Sequence, residues 1–416
     1  MSFLSRRDFI RESGRGFMGI VGASGLFSLS MIQEAENKID TKTGATPIMF
    51  RMPPIDGYPE IYDIDDSRLL ARLNDPVAVV HSDRADEAAY AALSLLKPTL
   101  KGDRAFIKPN YSTYPFMDTG VPPKKREFYY MGVTQPEFIY GIMHYLRDQG
   151  IPYQNITVGE GIAQSTTDRF DYLGYFEQSK KMGFKVLDIT KDSIVGYRIK
   201  HADVLKETGC SKVYSDHLRD GVVIGAPKLK VHHFATLTVS LKNMMGIVLP
   251  FDKKYIMHAE LSPWYSQAKE KSREKYFETM WMFSKRLIDL YALSPDFSVV
   301  DGVIGGEGHG VANEYKGEQV TFPVESHRAF AGTNSINLDA VCGHFMGHNP
   351  MYPRYTDLPE VKFIPWLYLG QKKGFGYMYV KRVPILGDRN LIESEHKFRL
   401  LSEIEYAKFQ EKKDKS

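Results

Sequence analysis

Only two cysteines, Cys210 and Cys342, occur in 416 residues, and that scarcity removes whole classes of chemistry. Two thiols cannot hold an iron–sulfur cluster or a four-cysteine zinc site, so the chain is expected to carry no iron–sulfur cluster of its own. They fit either a disulfide in an oxidising compartment or two buried free thiols, and the latter is the expectation. Charge of one sign is missing too. Lys and Arg total 54 against 51 Asp and Glu, a net charge of +3, with no basic face or stripe to grip nucleic acid. Low-complexity tracts and internal repeats are absent. So are several catalytic signatures: no G-x-S-x-G elbow, no H-E-x-x-H zinc motif, no Walker A loop and no G-x-G-x-x-G opening a helix. Beyond the N-terminus no run is long and apolar enough to span a bilayer.

What is present begins with Ser5-Arg6-Arg7-Asp8-Phe9-Ile10, a match to the twin-arginine export signal. Behind it Phe17 to Ser30 is short, mildly apolar and softened by Gly and Ser, as a signal h-region is. The expectation is a protein exported to the periplasm, or otherwise across a membrane, through the twin-arginine translocation machinery. Membrane attachment is expected only through this segment, if it stays uncleaved. The implied organisation is a signal segment over 1–32, a linker or wrapping arm over 33–60, one large α/β domain over 61–400 and a charged tail over 401–416.

Within the large domain, apolar runs of strand length alternate with helical spacing. Strands are read at Val77–His81, Ala105–Ile107, Ile156–Gly159, Lys185–Asp188, Val222–Ala226 and Ser298–Asp301. Helices are read at Ala85–Leu96, Pro136–Gln149 with Thr134 at its cap, Phe170–Met182, near Ala235–Met245, and Ile336–Phe345. This alternation predicts an α/β fold whose mostly parallel sheet is covered by helices on both faces. Two insertions, the aromatic-rich Tyr111–Met131 (with Tyr114, Tyr129 and Tyr130) and the helical Ser262–Leu293, are expected as lids over the carboxyl ends of the strands.

Those strand ends carry the informative residues. Lys108-Pro109-Asn110 closes one strand, and Pro227-Lys228-Leu229-Lys230-Val231-His232-His233 follows another. Proline stiffens each turn, and the lysines are placed where open α/β sheets bind ligands. Lys242 and Asn243 come next, before Gly246, which reads as a helix end or a close backbone crossing. If the segment is extended, Lys230 and His232 share a side. Lys108, Asn110, Lys228, Lys230, Asn243 and Glu160 are therefore candidate substrate-binding residues for an anion.

A second dense feature is Asp301 to Gly310, with five glycines in ten residues. It reads as a flexible loop able to cradle an anion on its N–H groups. Glu307 and His309 there, with His232, are candidate ligands for a divalent metal or partners in proton transfer, and Lys242 is a candidate base if its neighbours lower its pKa. His258 is a weaker candidate.

Taken together, Lys108-Pro109-Asn110, Gly159-Glu160-Gly161, Pro227 to His232, Ser240 to Gly246, His258, Asp301 to Gly310 and Leu338-Asp339-Ala340-Val341 resemble the domain of unknown function 362 family over roughly Val77 to Asn349. Some members carry a cysteine-rich ferredoxin-like extension. The last part of this chain has no cysteine, which argues against electron transfer unless a partner supplies the cluster. Two readings stand at this point. One is an exported enzyme acting on a small carboxylated, phosphorylated or acidic sugar-like substrate; the other is a non-catalytic anion-binding or redox-maturation protein.

Overall fold

The computed structural model describes residues 55–111, 126–161, 166–232, 235–249, 273–311, 313–315, 318–348, 364–394, 396–400 and 404. The signal segment, most of the arm, Tyr114, His233, His258 and nearly all of the charged tail lie outside the described residues.

In chain order the strands are β1 (Ile61–Ile64), β2 (Val77–His81), β3 (Ala105–Pro109), β4 (Ile156–Glu160), β5 (Lys185–Asp188), β6 (Ile194–Ile199), β7 (Glu207–Ser211) and β8 (Val222–Ala226). They continue with β9 (Lys228–His232), β10 (Thr236–Thr238), β11 (Val248–Leu249), β12 (Phe297–Gly308), β13 (Glu314–Tyr315), β14 (Glu318–Gln319), β15 (Thr321–Gly332) and β16 (Ile385–Leu386). The main sheet runs β16-β2-β15-β12-β8-β3-β4-β5, with β9 attached to β12 and β10 to β9. It is mostly parallel; β15 runs antiparallel to both of its neighbours, and β10 antiparallel to β9. A smaller sheet, β1-β6-β7-β11, stands apart from it.

Alternation along β3 explains why both faces must be covered. Ala105 and Ile107 enter one hydrophobic cluster, while Phe106 enters the other. Helices Ala85–Leu96 and Pro136–Asp148 close the first cluster through Ala88, Ala92, Phe138 and Ile142. Helices Lys212–Asp220, Arg273–Leu290, Ser335–Phe345 and Pro365–Lys372 close the second through Tyr214, Trp281, Val341 and Trp366. The expected α/β architecture is the one observed. Cys210 and Cys342 are both buried in the second cluster and are not paired with each other.

Four local expectations are corrected. The glycine-rich stretch after Ser298 is a strand, not a loop: β12 pairs with β15 from Ser298 to Gly308, with one irregularity between Gly302 and Ile304. Its N–H groups are thereby drawn into a ladder, and the glycines serve close packing instead of cradling an anion. The helix read near Ala235–Met245 is the short strand β10 followed by a single helical turn, Ser240–Asn243. Phe170–Met182 divides into Thr166–Tyr172 and Tyr175–Met182 at Gly174, whose φ of 80° ends one helix before the next begins. Thr134 does not cap Pro136–Asp148; its hydroxyl accepts from the Asn110 N–H and donates to the Ala226 carbonyl.

Candidate functional site

Lys108 stands at the end of β3 and Glu160 at the end of the neighbouring β4, so the parallel register brings them together. The ammonium donates to Glu160 Oε1 at 2.8 Å and to Asn243 Oδ1 at 3.2 Å. Glu160 also accepts from the N–H groups of Gly161 and Tyr111, at 2.8 and 3.3 Å. Asn110 Nδ2 donates to the same Asn243 oxygen at 3.0 Å. Both asparagines therefore hold Lys108 in place. Lys108 is 1% exposed and Glu160 2%. Burial pulls the lysine below its ordinary pKa, and the Glu160 carboxylate offsets part of that loss.

Gly246 is the backbone crossing that the sequence left open. A Cβ there would lie 2.5 Å from both Lys108 Nζ and Glu160 Oε1, so only glycine lets the chain pass over the pair. Gly246→Ala is expected to lower the urea midpoint, with an overpacking cost of about 1–3 kcal/mol.

A second pair lies across β9 and β12. Lys228 and Asp301 are in register, both 0% exposed, and joined at 2.8 Å. Burial lowers the Lys228 pKa and raises that of Asp301, each partly offset by the other. Asp301 Oδ2 also accepts the Gln135 N–H at 2.8 Å, and Oδ1 the Val303 N–H at 3.3 Å.

Lys230, two residues along β9 and 0% exposed, donates to the Gly132 carbonyl at 2.7 Å. Burial drives its pKa well down, and the nearby charges of Lys242, Lys228 and Arg169 push the same way. The segment from Gly132 to Gln135 thus stitches the strand ends together: Gly132 receives Lys230, Thr134 ties β3 to β8, and Gln135 holds Asp301.

Lys242 differs from all of these. It is 8% exposed and makes no hydrogen bond or ion pair among the described residues. Burial, then the charge of Lys108, brings its pKa down to about 7. Its helical turn is seated by Asp339, which accepts the N–H groups of Ser240 and Leu241 at 2.8 and 3.3 Å. Burial raises the Asp339 pKa to about 7, against the pull of those hydrogen bonds.

Thr238 Oγ1 and Gln135 Nε2 are among the buried polar atoms that find no hydrogen-bond partner among the described residues. Thr238 lies directly opposite Lys230 in the β9–β10 ribbon. Buried polar groups are nearly always hydrogen-bonded, so orphans beside a buried cation mark a place for a ligand. The sequence reading missed Thr238 and also Arg169, which is 5% exposed and donates to the Tyr111 carbonyl at 2.5 Å. A threonine in a three-residue strand and an arginine inside a helix carry no local signal.

His232, at the end of β9, accepts the Ala235 N–H on Nδ1 at 3.3 Å. His309 lies in the field of Lys230; burial and that charge lower its pKa to about 4, so the imidazole is neutral at pH 7. Glu307 is committed elsewhere. Its carboxylate accepts from His396 Nε2 at 2.9 Å and from the Arg399 backbone and guanidinium at 2.9 and 2.5 Å. Burial pushes the Glu307 pKa up, yet those hydrogen bonds hold it below the usual value. Among the described residues no group of three or more His, Cys, Asp or Glu side chains is gathered closely enough to hold a metal ion. Tyr111 lies in the core against Phe170 and Tyr175, and Tyr129 and Tyr130 are also buried.

A family model described as a domain of unknown function (DUF362) matches residues 106–344, which contain every lysine of the cluster. The chain is also similar to the thylakoid-associated protein sll1697 of Synechocystis sp., at 26% identity over 211 residues. That alignment covers 50% of this chain and 54% of the relative, so the chain spans about half the length of the curated protein it matches.

Proposed function

The chain belongs to the DUF362 family, and from its lysine cluster we propose that it binds and transforms a small organic anion at the carboxyl ends of β3, β4 and β9. One observation carries this reading: Lys242 is more than nine-tenths buried beside other cations, with no partner of its own among the described residues. Desolvating an unpaired ammonium is costly, and proteins keep such groups chiefly where a ligand or a reaction uses them.

The roles divide by what each residue already holds. Lys108–Glu160 and Lys228–Asp301 are closed pairs that build the walls and their field. Arg169 and Lys230, which lie in each other's field, neutralise the anion, with the Thr238 hydroxyl adding a hydrogen bond. Lys242 is the reacting amine, acting as base or nucleophile, because such a group works best when its pKa lies near the operating pH. No metal is required of these residues. Burial has stripped Lys230 and Lys242 of part of their proton affinity, so a bound anion restores it. Affinity is therefore expected to rise as pH falls, with uptake of protons from the buffer.

Isothermal calorimetry with oxalate, phosphate and acetate in buffers of different ionisation enthalpy tests the proposal. Binding of at least one anion, accompanied by proton uptake and lost in Lys242→Met, is the expected outcome. Binding that Lys242→Met leaves intact contradicts it. Binding without turnover of any tested substrate moves the assignment to the non-catalytic carrier.

Export is proposed on Arg6 and Arg7 alone. Replacing both with lysine is expected to leave the protein in the cytoplasmic fraction, whereas the unaltered chain is recovered outside it. Equal recovery of the two outside the cytoplasm removes the proposal.

A further inference from the structure

We infer that Lys242 forms an imine with the carbonyl carbon of a small anionic aldehyde or ketone, the class that includes 2-oxo acids and phosphorylated carbonyl sugars. This rests on the anion-site reading above and names the substrate class. The geometry supplies what an imine-forming amine requires. Lys242 has no hydrogen bond or ion pair among the described residues, so its lone pair is not engaged. It is held on a short, anchored turn, with Asp339 receiving the Ser240 and Leu241 N–H groups. The cations near it are immobilised by other partners, Lys108 by Glu160 and Asn243 and Lys230 by the Gly132 carbonyl, and Arg169, beside Lys230, is held by the Tyr111 carbonyl. They can accept a carboxylate or phosphate without entering the chemistry. A pKa of about 7 then leaves a large share of Lys242 as the free amine at neutral pH, the activation that desolvation and a neighbouring cation give such lysines.

The step balances without any oxidant or reductant. Lys242 Nζ attacks the carbonyl carbon, a C–N bond forms, and the carbonyl π pair moves to oxygen. The nitrogen loses a proton and the oxygen gains one, giving the carbinolamine. A second proton, taken up by that oxygen from solvent, lets it depart as water while the nitrogen lone pair closes the C=N bond, and the resulting iminium returns a proton to solvent as it loses its remaining N–H. Amine and carbonyl compound become imine and water.

The full chain is incubated at neutral pH with pyruvate, glyceraldehyde 3-phosphate or acetaldehyde, each with sodium cyanoborohydride, and modified lysines are located by peptide mass spectrometry. Lys242 is expected to carry the reduced adduct at least about tenfold faster than exposed lysines such as Lys97 and Lys200, which lack its desolvated, cation-flanked setting. Faster trapping with pyruvate assigns a carboxylate, and faster trapping with glyceraldehyde 3-phosphate assigns a phosphate. Acetaldehyde is expected to trap Lys242 more slowly than either. Lys242→Arg is expected to abolish the adduct at that position. If oxalate binds but the label spreads over exposed lysines and spares Lys242, the imine is wrong and the anion site survives. If acetaldehyde traps Lys242 as fast as the anionic compounds, the substrate class is wrong. If oxalate does not bind and Lys242 is not labelled, both the anion site and the imine fail.

Discussion

Lys242→Met is expected to make the protein more stable by roughly 3–5 kcal/mol at pH 7 while abolishing its binding of small anions. The size follows from the shift of the lysine pKa from 10.5 to about 7, at about 1.36 kcal/mol per unit. Burial and the Lys108 charge disfavour the ammonium in the folded state, whereas the unfolded chain carries it in water. Between pH about 7 and 10.5 the unfolded chain therefore holds more protons than the native one, and stability rises with pH across that window. Below pH about 7 both states are protonated and the cost is present in full. The gap between the variant and the original chain should thus be widest below neutrality and should close toward pH 10. A methionine fills most of the same volume without a charge to desolvate. Urea unfolding at several pH values measures this directly. A gain in stability coupled to loss of binding marks a residue kept for function at the expense of the fold. A destabilised variant would mean that Lys242 is an ordinary structural lysine.

Asp301→Asn is expected to have the opposite sign and a comparable size, destabilising the fold by about 3–5 kcal/mol, because it strands Lys228 in the core without a counter-charge. The hydrogen bonds make the loss hard to evade. The two carboxylate oxygens accept three donors: the Lys228 ammonium and the N–H groups of Gln135 and Val303. An asparagine has one accepting oxygen, so whichever way its amide is turned an NH2 faces a donor. Adding Lys228→Met to Asp301→Asn is expected to recover most of the lost stability, since removing both charges removes the uncompensated one. Recovery of less than about a quarter would mean that Asp301 acts mainly through Gln135 and Val303, not through Lys228. The contrast between the two lysines is the central point: Lys228 is stabilised by a partner that its sheet provides, and Lys242 is not.

The strand-end placement of the lysines was legible because Lys108-Pro109-Asn110 and Pro227-Lys228-Leu229-Lys230 follow apolar runs that only a buried strand accommodates. The alternation of Lys228, Lys230 and His232 against Leu229 and Val231 then placed one set opposite the core, as β9 does. The pairings were not legible. Lys108 and Glu160 are 52 residues apart, Lys228 and Asp301 73, and they meet only through the register of parallel strands. Glu307 looked available beside His309, but its partners His396 and Arg399 lie 89 and 92 residues further on. The glycines of β12 misled for a related reason. Glycine permits a loop, yet it also permits the close backbone approaches that this long strand makes to Leu229 and Met131, and local sequence does not separate the two uses. Thr134 suited a helix cap equally well until β3 and β8 claimed its hydroxyl.

The most direct test is the titration of Lys242 itself, followed by competitive acylation and peptide mass spectrometry across pH in the presence and absence of oxalate. A cationic anion site built around an unpartnered amine predicts half-reaction near pH 7 in the free protein and a higher midpoint when oxalate is bound. A midpoint near pH 10, unmoved by oxalate, is the behaviour of a solvated lysine and would contradict it.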